Sequence, residues 1–193
     1  MDKSNGYEGV AEEFIKVRGN VENKFGVSTV ISWAHKFPPS SKILDLGCGP
    51  GIPISKVLID YPMIVYGIDA SPTLAAQFKS NFPHNEIRCE AVEDSSFYNE
   101  NFDGIISWGL MFLLSPIDQA KLITKVSQHL KTGGKFLFTA PYQKAKWTDI
   151  MTGRESESLG KKEYLELLER NGFAVTEGLS DEGGNYYYSC TRM

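Results

Sequence analysis

Short apolar segments alternate with helix-forming segments along residues 42–140, and this alternation constrains the fold more than any other feature of the sequence. Apolar residues at helical spacing separate short runs that are typical of buried strands. The predicted strands cover residues 43–46, 64–68, 87–92, 102–107 and 135–139. Strands that are separated by helices form parallel sheets with right-handed crossovers. The sequence therefore predicts a doubly wound α/β fold.

Both ends of the chain depart from this alternation. Residues 8–18 and 27–37 carry apolar residues at mixed helical spacing and predict two N-terminal helices. Near the other end, residues 173–179 and 186–191 flank a turn-rich segment, which predicts an antiparallel hairpin at one edge of the sheet. The expected sheet therefore has seven strands and is mostly parallel, with an antiparallel last strand.

Residues 141–160 show no clear period, and a segment of that length in a compact domain is usually functional. A chain of 193 residues has the usual size of one domain, so we expect a single domain over residues 1–193. Its expected parts are an N-terminal helical cap at 1–41, a ligand-binding core at 42–140 and a substrate loop at 141–160. The last part, 161–193, contains a closing helix at 161–170 followed by the hairpin.

Local signals mark several helix ends inside the core. Ser71 and Ser115 each precede a proline, which is the pattern of an N-cap followed by the first helical residue. Pro53 is predicted to occupy the first turn of the helix that follows the first strand. Gly133 and Gly134 are expected to end the helix before the fifth strand.

The charge of the chain disfavours a nucleic-acid substrate. Lys and Arg number 20 against 24 Asp and Glu, which gives a net charge of −4 with His neutral. Proteins that bind nucleic acids usually carry a basic face, and the longest basic run here is Lys161-Lys162. We therefore expect a small-molecule partner.

Cysteine use and hydropathy predict the compartment. Cys48, Cys89 and Cys190 are far apart and form no CxxC pair, which disfavours a disulfide framework or a zinc site, so no metal is expected. The N-terminal residues lack the apolar run of a signal peptide, and no stretch approaches 18 apolar residues, so no membrane span is expected. These features predict a cytoplasmic protein.

A glycine-rich turn follows the first predicted strand. Such a turn lets the backbone approach a ligand closely, and the helix N-terminus behind it favours negative charge. A dinucleotide site needs G-x-G-x-x-G, whereas Gly47, Gly49 and Gly51 place the third glycine one residue early. This spacing disfavours a nicotinamide-dependent oxidoreductase, which stays open as an alternative.

The segment Ile43-Leu-Asp-Leu-Gly-Cys-Gly-Pro-Gly51 resembles the first motif of the class I S-adenosylmethionine-dependent methyltransferases. Asp69 stands 22 residues after Gly47, at the position of that family's ribose-binding acid. Glu93 follows the third strand, and Leu130-Lys-Thr-Gly-Gly134 precedes the fifth. The resemblance covers residues 42–140 and implies a Rossmann-like fold with S-adenosyl-L-methionine as cofactor.

The resemblance also implies roles for individual residues. Asp45 and the glycine turn are expected to hold the methionine moiety, and Asp69 the two ribose hydroxyls. An alternative assigns Asp69 to capping the next helix. Tyr7 and Arg18 resemble N-terminal groups that fold over the cofactor, and we expect Arg18 to pair with its carboxylate; a solvated Arg18 is the alternative. The full expected set is Tyr7, Arg18, Asp45, Gly47, Cys48, Gly49, Gly51, Asp69, Ala70, Ser71, Val92, Glu93, Ser107 and Trp108.

The activity that the resemblance implies is transfer of a methyl group to a small-molecule acceptor by in-line displacement. Orientation supplies much of the acceleration in such a reaction, so the chemistry demands no catalytic residue and none is assigned. Residues 141–160 and the tyrosines at 186–188 with Asn185 are the expected acceptor walls. A protein that binds the cofactor without catalysis is the second alternative.

Overall fold

A seven-stranded sheet forms the centre of the molecule, with the strand order β3-β2-β1-β4-β5-β9-β8. The computed structural model describes residues 2–18 and 25–193. The strands are β1 (Lys42–Leu46), β2 (Ile64–Asp69), β3 (Glu86–Cys89), β4 (Phe102–Ser107), β5 (Leu130–Thr139), β6 (Ala145–Thr148), β7 (Glu155–Ser158), β8 (Phe173–Ser180) and β9 (Tyr186–Arg192). The helices are α1 (Ala11–Arg18), α2 (Val27–Ala34), α3 (Ile54–Asp60), α4 (Pro72–Asn81), α5 (Pro116–His129) and α6 (Lys161–Arg170).

The direction of the strands confirms the predicted fold class. β1, β2, β3, β4 and β5 pair in parallel, and β9 runs antiparallel to both β5 and β8. Parallel strands need apolar residues on both faces, because helices cover both sides of such a sheet. Ile43, Leu44 and Leu46 of β1 are accordingly fully buried, and they divide between two apolar clusters.

Serine caps begin α4 and α5, as the sequence predicts. The Ser71 hydroxyl accepts a hydrogen bond from the Leu74 amide, and the Ser115 hydroxyl accepts one from the Asp118 amide, each at 3.2 Å. Pro53 is one position off the prediction, because it precedes α3 and that helix begins at Ile54. The end of α5 also differs, since β5 already begins at Leu130.

The predicted third strand is too long at its C-terminal end. The amide of Glu90 still donates to the carbonyl of Asp69, but the amides of Asp94 and Ser95 then donate to the carbonyl of Ala91. This turn takes the chain out of the sheet, so β3 ends at Cys89. Val92 therefore lies on a loop beyond the strand.

The two predicted N-terminal helices are shorter than expected. A 3-10 turn at Tyr7–Val10 precedes α1, and α2 ends at Ala34. After Ala34 the amides of Lys36 and Phe37 donate to carbonyls three residues back, so the chain tightens into a turn.

The segment at 141–160 contains the antiparallel hairpin of β6 and β7, where the sequence predicts only a loop. Each strand has four residues, and β6 exposes most of its side chains. On β7 the buried residues are Ser156 and Ser158, so polar side chains occupy the inward positions. Apolar alternation, the usual sign of a strand, is therefore missing from this hairpin.

Within residues 2–18 and 25–193, no helix combines the length and the apolar character that crossing a bilayer requires. In the same part of the chain, no group of three or more His, Cys, Asp or Glu side chains is arranged to hold a metal ion.

Candidate functional site

A cleft opens at the carboxyl ends of the central strands. The chain passes from β1 outward to β2 and β3, then returns to β4 on the other side of β1. Ligands of doubly wound folds bind where the strand order reverses in this way. The loops after β1, β2, β3 and β4 all contribute to the cleft, which holds about 850 Å³ of space without protein atoms, part of it open solvent.

Most of the predicted site residues meet in this cleft. Those that line it are Tyr7, Arg18, Asp45, Gly47, Cys48, Gly49, Asp69, Ala70, Val92, Glu93 and Trp108. The other three, Gly51, Ser71 and Ser107, lie outside the lining. Ser107 is fully buried at the end of β4, and Ser71 is the N-cap of α4.

The glycine turn has the backbone that only glycine adopts readily. Gly47, Gly49 and Gly51 have φ angles of 69°, 54° and 78°, in the left-handed region. A Cβ on Gly51 would lie 2.5 Å from the ring of Phe82 and 2.8 Å from that of Phe78. Gly51 therefore allows α4 to pack against the turn, whereas Gly47 and Gly49 face the cleft.

Asp69 joins the two loops that form the base of the cleft. Its Oδ2 accepts a hydrogen bond from the Gly49 amide at 2.8 Å, and its Oδ1 accepts one from the Ser71 amide at 2.9 Å. Because each carboxylate oxygen can accept a second bond, both remain able to bind a ligand hydroxyl. Burial raises the pKa of Asp69, while the two amides oppose that shift. Ser71, and not Asp69, caps α4.

Asp45 is the second buried carboxylate of the cleft. Its side chain is 2% exposed, and the Ser55 hydroxyl donates to its Oδ2 at 2.5 Å. Burial raises the pKa of Asp45 to about 7, although the hydrogen bond from Ser55 acts in the opposite direction. A cationic ligand group beside Asp45 would favour its ionised form.

Cys48 lies between these carboxylates in the glycine turn and is buried. Burial, together with the nearby charges of Asp69 and Asp45, raises the pKa of its thiol well above the usual range. A thiol in such surroundings stays protonated and behaves as a small apolar filler.

The loop after β3 is held by a lysine of α5. The ammonium group of Lys125 donates to the backbone carbonyls of Val92, Glu93 and Ser95 at 2.9, 2.7 and 3.0 Å. The Glu93 carboxylate lines the cleft and lies 3.7 Å from the Lys3 ammonium. Nothing in the local sequence signals Lys125, because the contacts join residues that are 30 to 33 positions apart.

Arg18 lies over an aromatic surface beside the cleft. Its guanidinium carbon is 4.4 Å from the ring centroid of Trp108 and 5.2 Å from that of Phe14. Burial lowers the pKa of Arg18, but a guanidinium stays charged in proteins. No carboxylate within the described ranges forms an ion pair with it, so the charge is available to an anionic ligand.

The N-terminal segment contributes Tyr7, Phe14 and Arg18 to the cleft lining, and it touches the hairpin of β6 and β7, which lies outside that lining. The Tyr7 hydroxyl donates to Oδ2 of Asp149, on the turn between β6 and β7, at 3.3 Å. Burial and the nearby Asp149 raise the pKa of Tyr7 to about 12, so the phenol stays protonated. Glu8 accepts hydrogen bonds from the Ser71 hydroxyl and from the Thr73 amide and hydroxyl, which fastens the N-terminal segment to α4.

Several cleft residues are absent from the predicted set. They are mainly apolar: Phe14, Leu74, Leu110, Leu113 and Leu114 line the cleft beside the polar groups. The sequence places Leu113 and Leu114 in a dense apolar run, which favours a plain core over a wall of the site. Glu8 is also missing from the set, since an acid in the first turn of a surface helix has many ordinary explanations.

Comparisons with known proteins agree with this geometry. Residues 43–134 match a family described as a methyltransferase domain. An uncharacterized methyltransferase of Synechocystis is 29% identical over 109 residues, which are 56% of this chain and 51% of that protein. A tRNA U34 carboxymethyltransferase of Sulfurimonas denitrificans is 30% identical over 89 residues, or 44% of this chain and 30% of that protein. The chain thus spans about half of one relative and under a third of the other.

The fold has a close counterpart among solved structures. The magnesium protoporphyrin IX methyltransferase of Synechocystis, solved with bound S-adenosylhomocysteine, superposes with a TM-score of 0.78 over 100% of both chains. The two sequences are 14% identical, so the likeness concerns the fold.

Proposed function

We propose that this chain is a class I S-adenosylmethionine-dependent methyltransferase that transfers a methyl group to a small-molecule acceptor, and the match of residues 43–134 to a methyltransferase domain supports this. One observation carries the proposal: Asp69 lines the cleft at the switch point and binds the amide of the glycine turn while keeping acceptor capacity on both oxygens. This arrangement supports a role for Asp69 in binding the two hydroxyls of a ribose.

The charges of the cleft fit the amino-acid end of this cofactor. We assign Asp45 to the ammonium group and Arg18 to the carboxylate, because each is a buried or half-buried charge without an opposite charge beside it in the described residues. α3 begins three residues after Gly51 and has only seven residues, so Arg18 is the better partner for the carboxylate than the helix end. The loop at Val92 and Glu93, with Ala70 beneath, supports a role in holding the adenine.

Bound S-adenosylmethionine would supply a methyl group that is already activated by its sulfonium. The task of the protein is then to hold the acceptor in line with that methyl and to exclude water. Tyr7, Phe14 and Leu110 line the cleft together with the proposed cofactor-binding residues. We propose that residues 1–41 and 141–193 select the acceptor, while residues 42–140 bind the cofactor.

Two observations bear on the class of acceptor. A net charge of −4 favours a small molecule over a nucleic acid, whereas one relative is named as a tRNA-modifying enzyme. The cysteines of the chain are all free, which supports a reducing compartment such as the cytoplasm.

Titration calorimetry tests the cofactor assignment directly. We expect saturable binding of S-adenosylhomocysteine and none of NADH, and the reverse result would rule out the proposed cofactor. A screen of metabolites and purified tRNA for release of S-adenosylhomocysteine then tests catalysis. Binding with no turnover on any acceptor would favour a non-catalytic cofactor-binding protein.

A further inference from the structure

A chain of hydrogen bonds runs from the cleft to the turn between β8 and β9. The indole Nε1 of Trp108 donates to the hydroxyl of Tyr187 at 2.7 Å. That hydroxyl in turn donates to Oδ2 of Asp181 at 2.8 Å. Trp108 lines the cleft, whereas Tyr187 is 0% exposed, so the tyrosine is an internal link and not the acceptor wall that its sequence position suggests.

Asp181 is itself held in place. Its Oδ1 accepts hydrogen bonds from the amides of Gly183 and Asn185, each at 2.9 Å, and the Asn185 side chain donates to Oδ2 at 2.9 Å. Burial raises the pKa of Asp181, but the hydrogen bonds from Asn185 and Tyr187 outweigh it and hold that pKa below its usual range. The carboxylate is therefore a fixed and charged acceptor.

The hydrogen bond between Trp108 and Tyr187 is closely packed as well. Gly26 lies against it, and a Cβ there would be 2.6 Å from the Tyr187 hydroxyl and 2.8 Å from the Trp108 Nε1. No side chain fits at that position, so the start of α2 closes over the two groups. Burial raises the pKa of Tyr187, which keeps the phenol protonated and able to donate to Asp181.

At the cleft end of this hydrogen-bonded series, the Arg18 guanidinium lies 4.4 Å from the Trp108 ring centroid. A cation over an indole face depends on the position of that ring, because the attraction arises from the ring's electron distribution. The Trp108 ring packs against a buried apolar cluster, and the hydrogen bond of its N–H adds a restraint on its orientation. Asp181 and Tyr187 supply that restraint.

We propose that Asp181 and Tyr187 are positioning residues for the carboxylate end of the cofactor: they orient Trp108, and Trp108 places Arg18. The inference rests on the proposed function, since it assumes that Arg18 binds the carboxylate of S-adenosylmethionine. It assigns a binding role to the β8–β9 turn, which lies outside the cleft lining and outside residues 42–140.

Two ligands separate this role from a general structural one. S-adenosylhomocysteine carries the amino-acid end, whereas methylthioadenosine lacks it and keeps the adenosine. We expect Tyr187→Phe and Asp181→Asn to weaken binding of S-adenosylhomocysteine about fivefold, the effect of one lost hydrogen bond, and to leave methylthioadenosine binding unchanged. The measurement is titration calorimetry on the full chain.

Matched controls lie next to both residues. Tyr188 is buried and its hydroxyl has no partner in the described residues, so Tyr188→Phe removes a phenol oxygen from the same strand without touching the chain of bonds. Glu182→Gln neutralises the neighbouring acid of the same turn. Both controls are expected to bind the two ligands like the wild type.

A double-mutant cycle completes the test. In an Arg18→Met background, Tyr187→Phe should add no further loss, because its effect passes through Arg18. Equal weakening of both ligands, an unchanged affinity for S-adenosylhomocysteine, or full additivity with Arg18→Met would each overturn the inference. If Tyr187→Phe does not fold, the two ligands are compared on Asp181→Asn instead, because Asp181 lies on a turn. A wild type that binds neither ligand overturns the proposed function itself.

Discussion

The floor and the cover of the cleft are built in different ways. The floor, residues 45–51 and 69–71, is held by backbone amides that donate to a buried carboxylate at 2.8 and 2.9 Å. We call residues 2–18 and the adjoining hairpin of β6 and β7 the cover, and side chains form the links between these two parts. Its links include Tyr7 to Asp149 at 3.3 Å and the exposed pair of Arg154 and Asp2 at 3.9 Å.

The difference predicts which part can open. An exposed ion pair stabilises the folded state by about 0–1 kcal/mol. A hydrogen bond to a charged group inside a protein stabilises it by roughly 1.5–3 kcal/mol. The link between residues 2–18 and the hairpin is weaker than the bonds of the floor, although Glu8 separately fastens residues 2–18 to α4. We therefore expect changes in the floor to affect cofactor affinity strongly and changes in the cover to affect mainly access.

The largest effect should come from Asp69→Ala. The substitution removes the proposed ribose contact and also leaves the amides of Gly49 and Ser71 without their acceptor. We expect the affinity for S-adenosylhomocysteine to fall by about 3 kcal/mol, measured by titration calorimetry. Thr73→Ser, a conservative change on the adjoining helix, serves as the control for folding. An unchanged affinity would mean that Asp69 only braces the loop.

Asp45 should make cofactor binding depend on pH. The pKa of about 7 means that the carboxylate ionises only as the pH rises through neutrality. Since the ionised form is the one that pairs with an ammonium group, affinity should increase about tenfold between pH 6 and pH 8. Calorimetry over this range measures it, and Asp45→Asn should give a weak affinity that no longer varies.

The ligand-free protein should respond to pH in the opposite sense. Burial raises the folded-state pKa of Asp45 above its ordinary value of 3.8, so the folded state binds more protons than the unfolded state between about pH 4 and pH 7. The free energy of unfolding therefore falls as the pH rises through this window. Asp69 contributes with the same sign, because its pKa is also raised. A denaturant series in which stability rises with pH would contradict this account.

Lys125→Met should have a smaller effect, since Lys125 does not line the cleft and supports the loop after β3 and not the floor. The substitution removes the ammonium group that binds three carbonyls of the loop at 92–95. We expect S-adenosylhomocysteine and methylthioadenosine to weaken alike, by about 1 kcal/mol, because the loop faces the proposed adenine site. Lys121→Met, on the same helix but 73% exposed, is the matched control. If only the affinity for S-adenosylhomocysteine fell, the loop would act on the amino-acid end of the cofactor and not on the adenine, which would contradict the assignment.

The sequence predicts the floor well because the floor is local. A buried strand, three glycines with positive φ and an acid at the end of the next strand lie within about 27 residues and follow from backbone chemistry. The alternation of strands and helices likewise predicts the parallel part of the sheet, and the turn-rich segment before residue 186 predicts the closing hairpin of β8 and β9. These features need no knowledge of distant contacts.

The cover and its supports are harder to predict because they depend on pairs far apart in the chain. Tyr7 and Asp149 are separated by 142 positions, and Trp108 and Tyr187 by 79. The β6 and β7 hairpin lacks apolar alternation, since Ser156 and Ser158 occupy its buried positions. Single-sequence periodicity detects burial of apolar groups, so it misses a hairpin whose inward side chains are polar.

Tyr7→Phe should have the smallest effect on affinity and a clear effect on motion. It removes a hydrogen bond of 3.3 Å to a half-buried carboxylate, which is worth about 0.5 kcal/mol, so S-adenosylhomocysteine should bind almost as tightly as in the wild type. Hydrogen exchange should become faster in residues 2–18 and 145–158, because the two halves of the cover lose a link. The floor, at residues 45–51, should exchange as before.

A second tyrosine separates loss of the link from loss of a hydroxyl. Tyr142 is 52% exposed and does not line the cleft, so Tyr142→Phe should change neither exchange nor affinity. Asp149→Asn weakens the same link from the hairpin side and should reproduce the faster exchange in both segments. If Tyr7→Phe instead weakened cofactor binding as much as Asp69→Ala does, Tyr7 would belong to the floor, and the division between a rigid base and a separable cover would fail at that residue.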